Sequence, residues 1–454
     1  MNNLTSLQRK LLYLGGVIVL LIPITLLGRP PEPTPEGHFD PSSGGTLAQK
    51  RIQFQLGEAS LGNVDPASST MNLLLLGFRG IATSILWMDA QDQQKAKDWA
   101  ALRATTDSII LLQPHFLKVW HFQGWNLAYN VSAEWDLVPD RYYWVKEGIK
   151  FFMRGQERNE KYPELYWYTG DTIGKKIGRS DEWVQFRKFF RNDPDPRFKG
   201  GPDTTINPNG KDNYLVAKGW FEQANKNIDT YHNMEHIMAE ILFRSYPMRA
   251  QMDYATALQR DGIFEEVTRV AWEDGFKEWT EIYGTRPYPS PAGVDVKLEV
   301  SEAELAKIRE EDKNRPEDKQ VENWISRFQD MTNYRFWRTR AKAESEPSMA
   351  DAHRDLYEGE RLVKDANYTE ARNKLWNGMT RLEEMIDKYP DLSFDDSTVE
   401  EALLGQLFWR DCLEIADEQP PEEEGYPLRK VWNEHQGRIP IVMEEFNRRK
   451  RTVK

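Results

Sequence analysis

Residues 359–390 read GERLVKDANYTEARNKLWNGMTRLEEMIDKYP. Gly359, Leu362, Tyr368, Ala371, Leu375 and Gly378 set small and large side chains in the order that two antiparallel helices need. Small residues let the backbones approach, and large ones fill the spaces beside them. Ala371, Leu375, Met379, Leu382, Ile386 and Tyr389 carry one apolar face forward at helical steps, and Pro390 marks its end. The stretch predicts a pair of helices joined by a short turn.

The same periodicity recurs upstream. Trp99, Leu102, Thr106, Ile109 and Ile110 form one helical face, with a stop expected at Gln113 before Pro114. Trp120, Gln123, Gly124 and Leu127 give W-x-x-Q-G-x-x-L, and Tyr166, Thr169, Gly170 and Ile173 echo it as Y-x-x-T-G-x-x-I. A weaker third copy, Leu215, Lys218, Gly219 and Glu222, puts a carboxylate where a large apolar residue belongs. No stretch shows several alternating strands, so the expected fold is all-α. Residues 191–213, dense in Pro, Gly, Asp and Asn, read as a loop. Residues 286–320 open with Pro287, Pro289 and Pro291, turn highly charged, and read as a linker between two helical parts.

These small–large positions resemble the tetratricopeptide-like superfamily of helical repeats. The resemblance implies degenerate TPR-like helix pairs stacked into a body with an extended binding groove. Gly124, Gly170 and Gly219 stand 46 and 49 residues apart, whereas that repeat is about 34 residues long. Helices or loops longer than the standard repeat follow from this. The stretches LLLLGFRGIATSILW, LQPHFLKVWHFQGWNLAYNVS, DRYYWVKEGI and IGKKIGRSDEWVQFR also resemble a group of membrane-anchored proteins of planctomycete-type bacteria. Some of these carry an "iron responsive element" label. No residue pattern here supports an iron role, and the resemblance implies a lineage and an architecture rather than an activity.

At 454 residues the chain can bury a large core. Its 16 Trp, 18 Tyr and 20 Phe exclude a generally disordered chain. A net charge of −12 argues against nucleic-acid binding, which calls for a basic surface. Arg448, Arg449, Lys450, Arg451 and Lys454 read as a solvated basic tail. The single cysteine, Cys412, excludes an intramolecular disulfide and reads as a small core residue.

Leu11 to Leu27, LLYLGGVIVLLIPITLL, holds no charge. As a helix its 17 residues reach roughly 26 Å, near the thickness of a bilayer core. The run is long for a cleaved signal peptide and no A-x-A-like site follows, which favours an uncleaved anchor. Arg9 and Lys10 place the N-terminus in the cytoplasm, at the inner membrane, with the body on the periplasmic side. The expected organisation is a tail (1–10), an anchor (11–27), a Pro/Gly-rich tether (28–70), a helical-repeat domain (71–285), a charged linker (286–320) and a TPR-like domain with its basic tail (321–454).

One motif names a chemistry. His232, Glu235 and His236 in TYHNMEHIMAEI have the H-x-x-E-H spacing of inverted zinc hydrolases. In that reading His232 and His236 are metal ligands and Glu235 is the general base. A third ligand is expected near Glu310 and Glu311, in a charged stretch poorly suited to hold one. On a helical wheel, Ile228, Tyr231, Met234, Met238 and Ile241 form an apolar stripe and both histidines fall on the opposite side. An ordinary polar helix face is therefore expected, with no catalytic residue, metal or cofactor.

Other motifs fall short. Gly170 to Lys176 is one residue short of a phosphate loop and has Lys176 where Ser or Thr belongs. Thr205 to Val216 lacks the first and twelfth carboxylates of a calcium loop. What remains is an aromatic surplus at Trp120, Trp125, Tyr129, Trp135, Arg141, Tyr143, Trp144 and Trp167, which serves either helix packing or a partner groove. The expected function is a membrane-anchored, non-enzymatic scaffold for protein partners at the envelope. The alternatives are a zinc hydrolase built on HNMEH and an envelope polysaccharide-binding module.

Overall fold

The computed structural model describes residues 6–28, 44–46, 49–50, 79–232, 237–421 and 425–451. Most of the expected tether, 28–70, lies outside the described residues. The described chain is predominantly helical, and its only strands are two residues long. It divides into two compact units, Met1–Thr172 with Lys226–Asn233, and Ile173–Asn225 with Met234–Lys454.

In the first unit α1 (Ser6–Gly28) contains the whole uncharged run, with Pro23 inside it. Its described apolar side chains, among them Leu12, Leu14, Val19, Ile22 and Leu26, are exposed. Among the described residues no helix is long and apolar enough to cross a membrane.

The rest of this unit is built from α2 (Arg79–Lys95), α3 (Trp99–Leu112), α4 (Leu117–Trp125), α5 (Val138–Arg158) and α6 (Pro163–Asp171). Asp98 caps α3 by accepting from the Ala101 N–H, and α3 ends at Gln113 as Pro114 requires. On α5, Tyr142, Val145, Ile149, Phe152 and Gln156 are buried at helical spacing. The helix α5 lies very close to α4. A Cβ on Gly148 would stand 2.6 Å from the Gly124 carbonyl, and one on Gly124 would stand 2.5 Å from the Phe152 ring.

In the second unit come α7 (Trp183–Arg191), most of α8 (Asn213–Tyr231), α9 (Glu240–Arg244), α10 (Tyr246–Arg260) and α11 (Glu266–Lys277). A two-stranded hairpin follows, β1 (Tyr288–Pro289) and β2 (Asp295–Val296). Next are α12 (Glu302–Asp312), α13 (Val321–Thr332), α14 (Tyr334–Glu344), α15 (Pro347–Lys364), α16 (Tyr368–Lys388), α17 (Asp396–Ile415), α18 (Arg429–Glu434) and α19 (Ile439–Arg451). Wide π-helical turns occupy Asn126–Val131, Thr172–Lys176 and Glu278–Tyr283, each beginning shortly after a glycine: Gly124, Gly170 and Gly275.

The expected helix pair is α15 and α16, joined by a three-residue turn at 365–367. Ala371, Leu375, Met379 and Leu382 are fully buried. The contact is reciprocal: a Cβ on Gly359 would stand 2.6 Å from Leu375 Cγ, and one on Gly378 would stand 2.9 Å from Leu356 Cγ. The weak third copy differs, because a Cβ on Gly219 would meet nothing within 4 Å.

Three expectations change here. The contact-defined units divide at Thr172/Ile173 and not within 286–320. That segment carries Tyr288, Val296 and Leu298 into the core of the second unit, beside Trp279 and Tyr334. Its charged part forms α12, started by a Ser301–Glu304 capping box. The basic residues through Arg451 lie on α19, whose Val442 and Phe446 are buried, so they are not a free tail. Lys454 lies outside the described residues. Loop 191–213 is a loop as expected, and Asn207 ties it down by donating to the carbonyls of Phe190 (3.0 Å) and Lys211 (2.9 Å).

Two glycine substitutions separate a packing role from a spare one. Gly219→Ala is expected to raise stability by about 1 kcal/mol through helix propensity alone. Gly378→Ala is expected to lose about 1–2 kcal/mol net, because the methyl drives α15 and α16 apart. Urea-unfolding midpoints of the two variants measure this, and equal effects would contradict the close approach.

Candidate functional site

Of the HNMEH motif only His232 is among the described residues. The helix α8 ends at Tyr231. The His232 N–H still bonds the Ile228 carbonyl at 2.8 Å, but its backbone is left-handed, φ 52°. A left-handed residue turns the chain off the helix axis. His232 is exposed, and Glu235 and His236 lie outside the described residues. The next helix, α9, begins only at Glu240. The expected stripe from Ile228 to Ile241 is therefore interrupted. Glu310 and Glu311 are exposed on α12, where Glu310 pairs with Lys313 at 2.5 Å. Among the described residues no group of three or more His, Cys, Asp or Glu is placed to hold a metal ion. The phosphate-loop echo at Gly170 to Lys176 is helical, with a π-helical turn over Thr172–Lys176.

The aromatic candidates of the first unit fall into two groups. Trp120 and Trp167 are buried. Trp120 donates from Nε1 to the Pro114 carbonyl at 2.8 Å and packs on Phe151, so it is a core pin. Trp125, Trp135 and Tyr143 are 41 %, 43 % and 41 % exposed. Tyr129, Trp144 and Arg141 are half-buried beside them. Trp125 stacks on Tyr129 at 5.4 Å. Trp135 stacks on Trp144 at 6.3 Å, and Tyr143 meets Trp144 edge-on at 5.4 Å. Arg141 donates from Nε to the Trp135 carbonyl at 2.6 Å, which holds the loop to the start of α5. Burial, then the charge of Asp171, keeps the Tyr129 phenol protonated far above the usual tyrosine range.

The second unit contains a polar site that no sequence motif marks. His353 on α15 is nearly fully buried at a core-facing position, between Met349 and Leu356. Its Nδ1 meets Glu401 of α17 at 2.7 Å and its Nε2 meets Glu344 of α14 at 2.9 Å. Burial by itself would lower the imidazole pKa; the two carboxylates outweigh it and hold it well above the ordinary value of 6.5. The ring is thus a cation donating from both nitrogens. Burial would raise Glu344, but His353 and Arg340 hold it below its ordinary value. Gln259 of α10 donates to the same Glu344 oxygen at 2.8 Å. One ion cluster therefore ties four helices, α10, α14, α15 and α17.

These residues line a cavity of about 430 Å³, which Trp183, Arg260, Tyr357 and Arg449 also reach. The only sequence signal for it was a histidine where the helix pattern asks for an apolar side chain. Chemically, His353 is committed. With both ring nitrogens engaged it offers none for a metal, nor a free nitrogen for proton transfer. Its role is to fix the walls of the cavity. Cys412 is buried in the neighbouring core, and burial raises its thiol to about 11, so it is no nucleophile at neutral pH. No protein-family model matches the chain, and none of the curated proteins or solved structures compared with it matches either.

The cluster sets a pH window. His353 is raised on folding, so its contribution is complete below the unfolded value of 6.5 and drains away as pH rises toward the folded one. Glu344 is lowered, so its contribution is lost as pH falls from 4.5 toward its folded value. His353→Ala is expected to cost about 3–5 kcal/mol near pH 6, since it leaves two carboxylates facing each other without their cation. The variant should also lose much of the decline in stability on the alkaline side. Chemical denaturation across about pH 4 to 9 checks both, and identical alkaline limbs would contradict the assignment.

Proposed function

We propose that the chain is a membrane-anchored, non-enzymatic helical-repeat scaffold that presents its first unit to a protein partner at the cell envelope. The observation that carries this reading is the partly exposed aromatic group formed by Trp135 and Tyr143 around the half-buried Trp144, with Arg141 beside it. Trp, Tyr and Arg dominate the residues that supply binding energy at protein interfaces. Leu137, 66 % exposed, sits in the same loop. An aliphatic side chain there suits a protein partner better than a sugar, which asks for flat stacking faces.

The anchor rests on α1. Its helix of 23 residues encloses the uncharged run Leu11 to Leu27, and the described leucines and valine along it are exposed. Such side chains left in water would be an aggregation hazard, whereas lipid satisfies them. Arg9 and Lys10 before the run favour a cytoplasmic N-terminus and a body on the far side of the inner membrane. Degenerate TPR-like pairing, of which α15 and α16 are the best instance, supplies the stacking principle for the body.

A photo-crosslinking side chain placed at Tyr143 in the membrane-bound full chain tests the reading. A defined protein adduct is expected. Trp135→Ala is expected to weaken that association by about 2 kcal/mol, roughly thirtyfold. Its melting temperature should stay nearly unchanged, because the residue is half in solvent. Recovery of the chain from the soluble fraction would overturn the anchor. An adduct with polysaccharide and none with protein would overturn the partner class.

A further inference from the structure

The cavity beside His353 is lined by cationic and anionic side chains whose hydrogen bonds are unequally satisfied. Four cationic side chains reach it, namely Arg260, Arg340, His353 and Arg449. His353 is taken by Glu344 and Glu401. Arg449 is taken by Glu360 at 3.2 Å and Glu445 at 2.6 Å. Arg340 and Arg260 remain.

Arg340 is the decisive one. Its side chain is only 13 % exposed. The nearest carboxylate oxygens stand at 3.6 Å on Asp395 and 3.9 Å on Glu344, beyond hydrogen-bond reach. Its Nε is buried without a hydrogen-bond partner. Each carboxylate faces it through one oxygen, Glu344 Oε1 and Asp395 Oδ1, and is held at that distance by the hydrogen bonds to its other oxygen. Glu344 accepts from His353 and Gln259. Asp395 caps α17, accepting from the Thr398 N–H at 3.1 Å and from the hydroxyls of Ser397 and Thr398. The charge of Arg340 is balanced at a distance while its buried Nε–H lacks an acceptor. A donor withheld from both water and a partner is costly. Trp272 and Trp337 lie about its guanidinium, at 5.6 and 5.8 Å, and hold it in place.

Arg260 stands over the Trp183 ring at 4.7 Å. Its hydrogen bond to the Tyr214 hydroxyl is long, 3.4 Å, and among the described residues no carboxylate lies within ion-pair distance. Asp253 feels both arginines, but its direct partner is Arg179 at 2.5 Å. The other walls include Trp183, Phe264 and Tyr357, the last two in ring contact at 5.4 Å. The volume falls in the range of small-molecule sites.

We propose that this cavity binds a small organic anion, with Arg340 and Arg260 on its carboxylate or phosphate and Trp183, Phe264 and Tyr357 against an apolar or aromatic body. Two guanidinium forks suit the paired oxygens of either group. The ion cluster at His353 is the positioning element. It engages Glu344 through Oε2, so that Oε1 stands 3.9 Å from Arg340 Nε, outside hydrogen-bond reach.

Calorimetry on the detergent-solubilised full chain tests this with phenyl phosphate, benzoate, inorganic phosphate and neutral benzyl alcohol. One saturable site is expected for phenyl phosphate or benzoate, with inorganic phosphate at least about tenfold weaker and benzyl alcohol silent. Whichever aromatic anion binds tighter assigns phosphate or carboxylate. Arg260→Ala, an exposed position that does not threaten folding, should weaken binding about tenfold at an unchanged melting temperature. Arg340→Lys keeps the charge, loses the fork, and should also weaken it. No saturable heat up to about 10 mM for either aromatic anion would overturn the proposal. So would binding that Arg260→Ala and Arg340→Lys both leave unchanged.

Discussion

An imidazolium ring held between two carboxylates is the constraint on which the second unit turns. His353 reaches Glu401 through one nitrogen and Glu344 through the other, and Gln259 closes the group from a fourth helix. Burying His353 and Glu344, with Glu401 half-buried beside them, is costly unless each is paired and hydrogen-bonded. Here the pairing is satisfied only in one arrangement of α10, α14, α15 and α17. The cluster therefore specifies geometry more than it adds stability. Its further consequence is electrostatic. By engaging Glu344 through Oε2 it keeps Oε1 at 3.9 Å from Arg340, whose buried Nε has charge balance and no hydrogen-bond acceptor, beside a cavity large enough for a small ligand.

Close helix packing makes that arrangement possible. Leu356 fits against Gly378 from one side and Gly405 from the other, three residues beyond His353 on the same helix. A side chain at either glycine would displace α15 and move the histidine off its carboxylates. The first unit uses the same device with different residues, Gly124 and Gly148 bringing α4 against α5. There the close approach presents aromatic side chains. Trp120 points into the core, and Trp125, Trp135 and Tyr143 are left partly in solvent.

Much of this was legible in the sequence where the signal is local. The helix face ending at Gln113, the pair formed by α15 and α16, the loop at 191–213 and the buried Cys412 all follow from periodicity, proline and turn composition. The failures are equally local in cause. Nothing in TYHNMEHIMAEI announces that His232 adopts a left-handed backbone, so the wheel ran through a helix end. The proline-rich, charged stretch at 286–320 reads as a linker, yet Tyr288, Val296 and Leu298 are enough to draw it into a core. The ion cluster was beyond reach for another reason. Glu344 and Glu401 lie 9 and 48 residues from His353, and only tertiary packing brings them together. The division of the aromatic surplus into core and surface was hidden likewise, since it depends on which helix each ring meets.

The most direct test of the central claim is a nuclear magnetic resonance titration of the His353 ring in the folded full chain. Both ring nitrogens are expected to stay protonated well above pH 6.5, the ordinary histidine value, and to exchange slowly with water. A ring that loses its proton at or below that value would contradict it. The cluster would then not be ionic, and nothing would hold Glu344 Oε1 out of hydrogen-bond reach of Arg340.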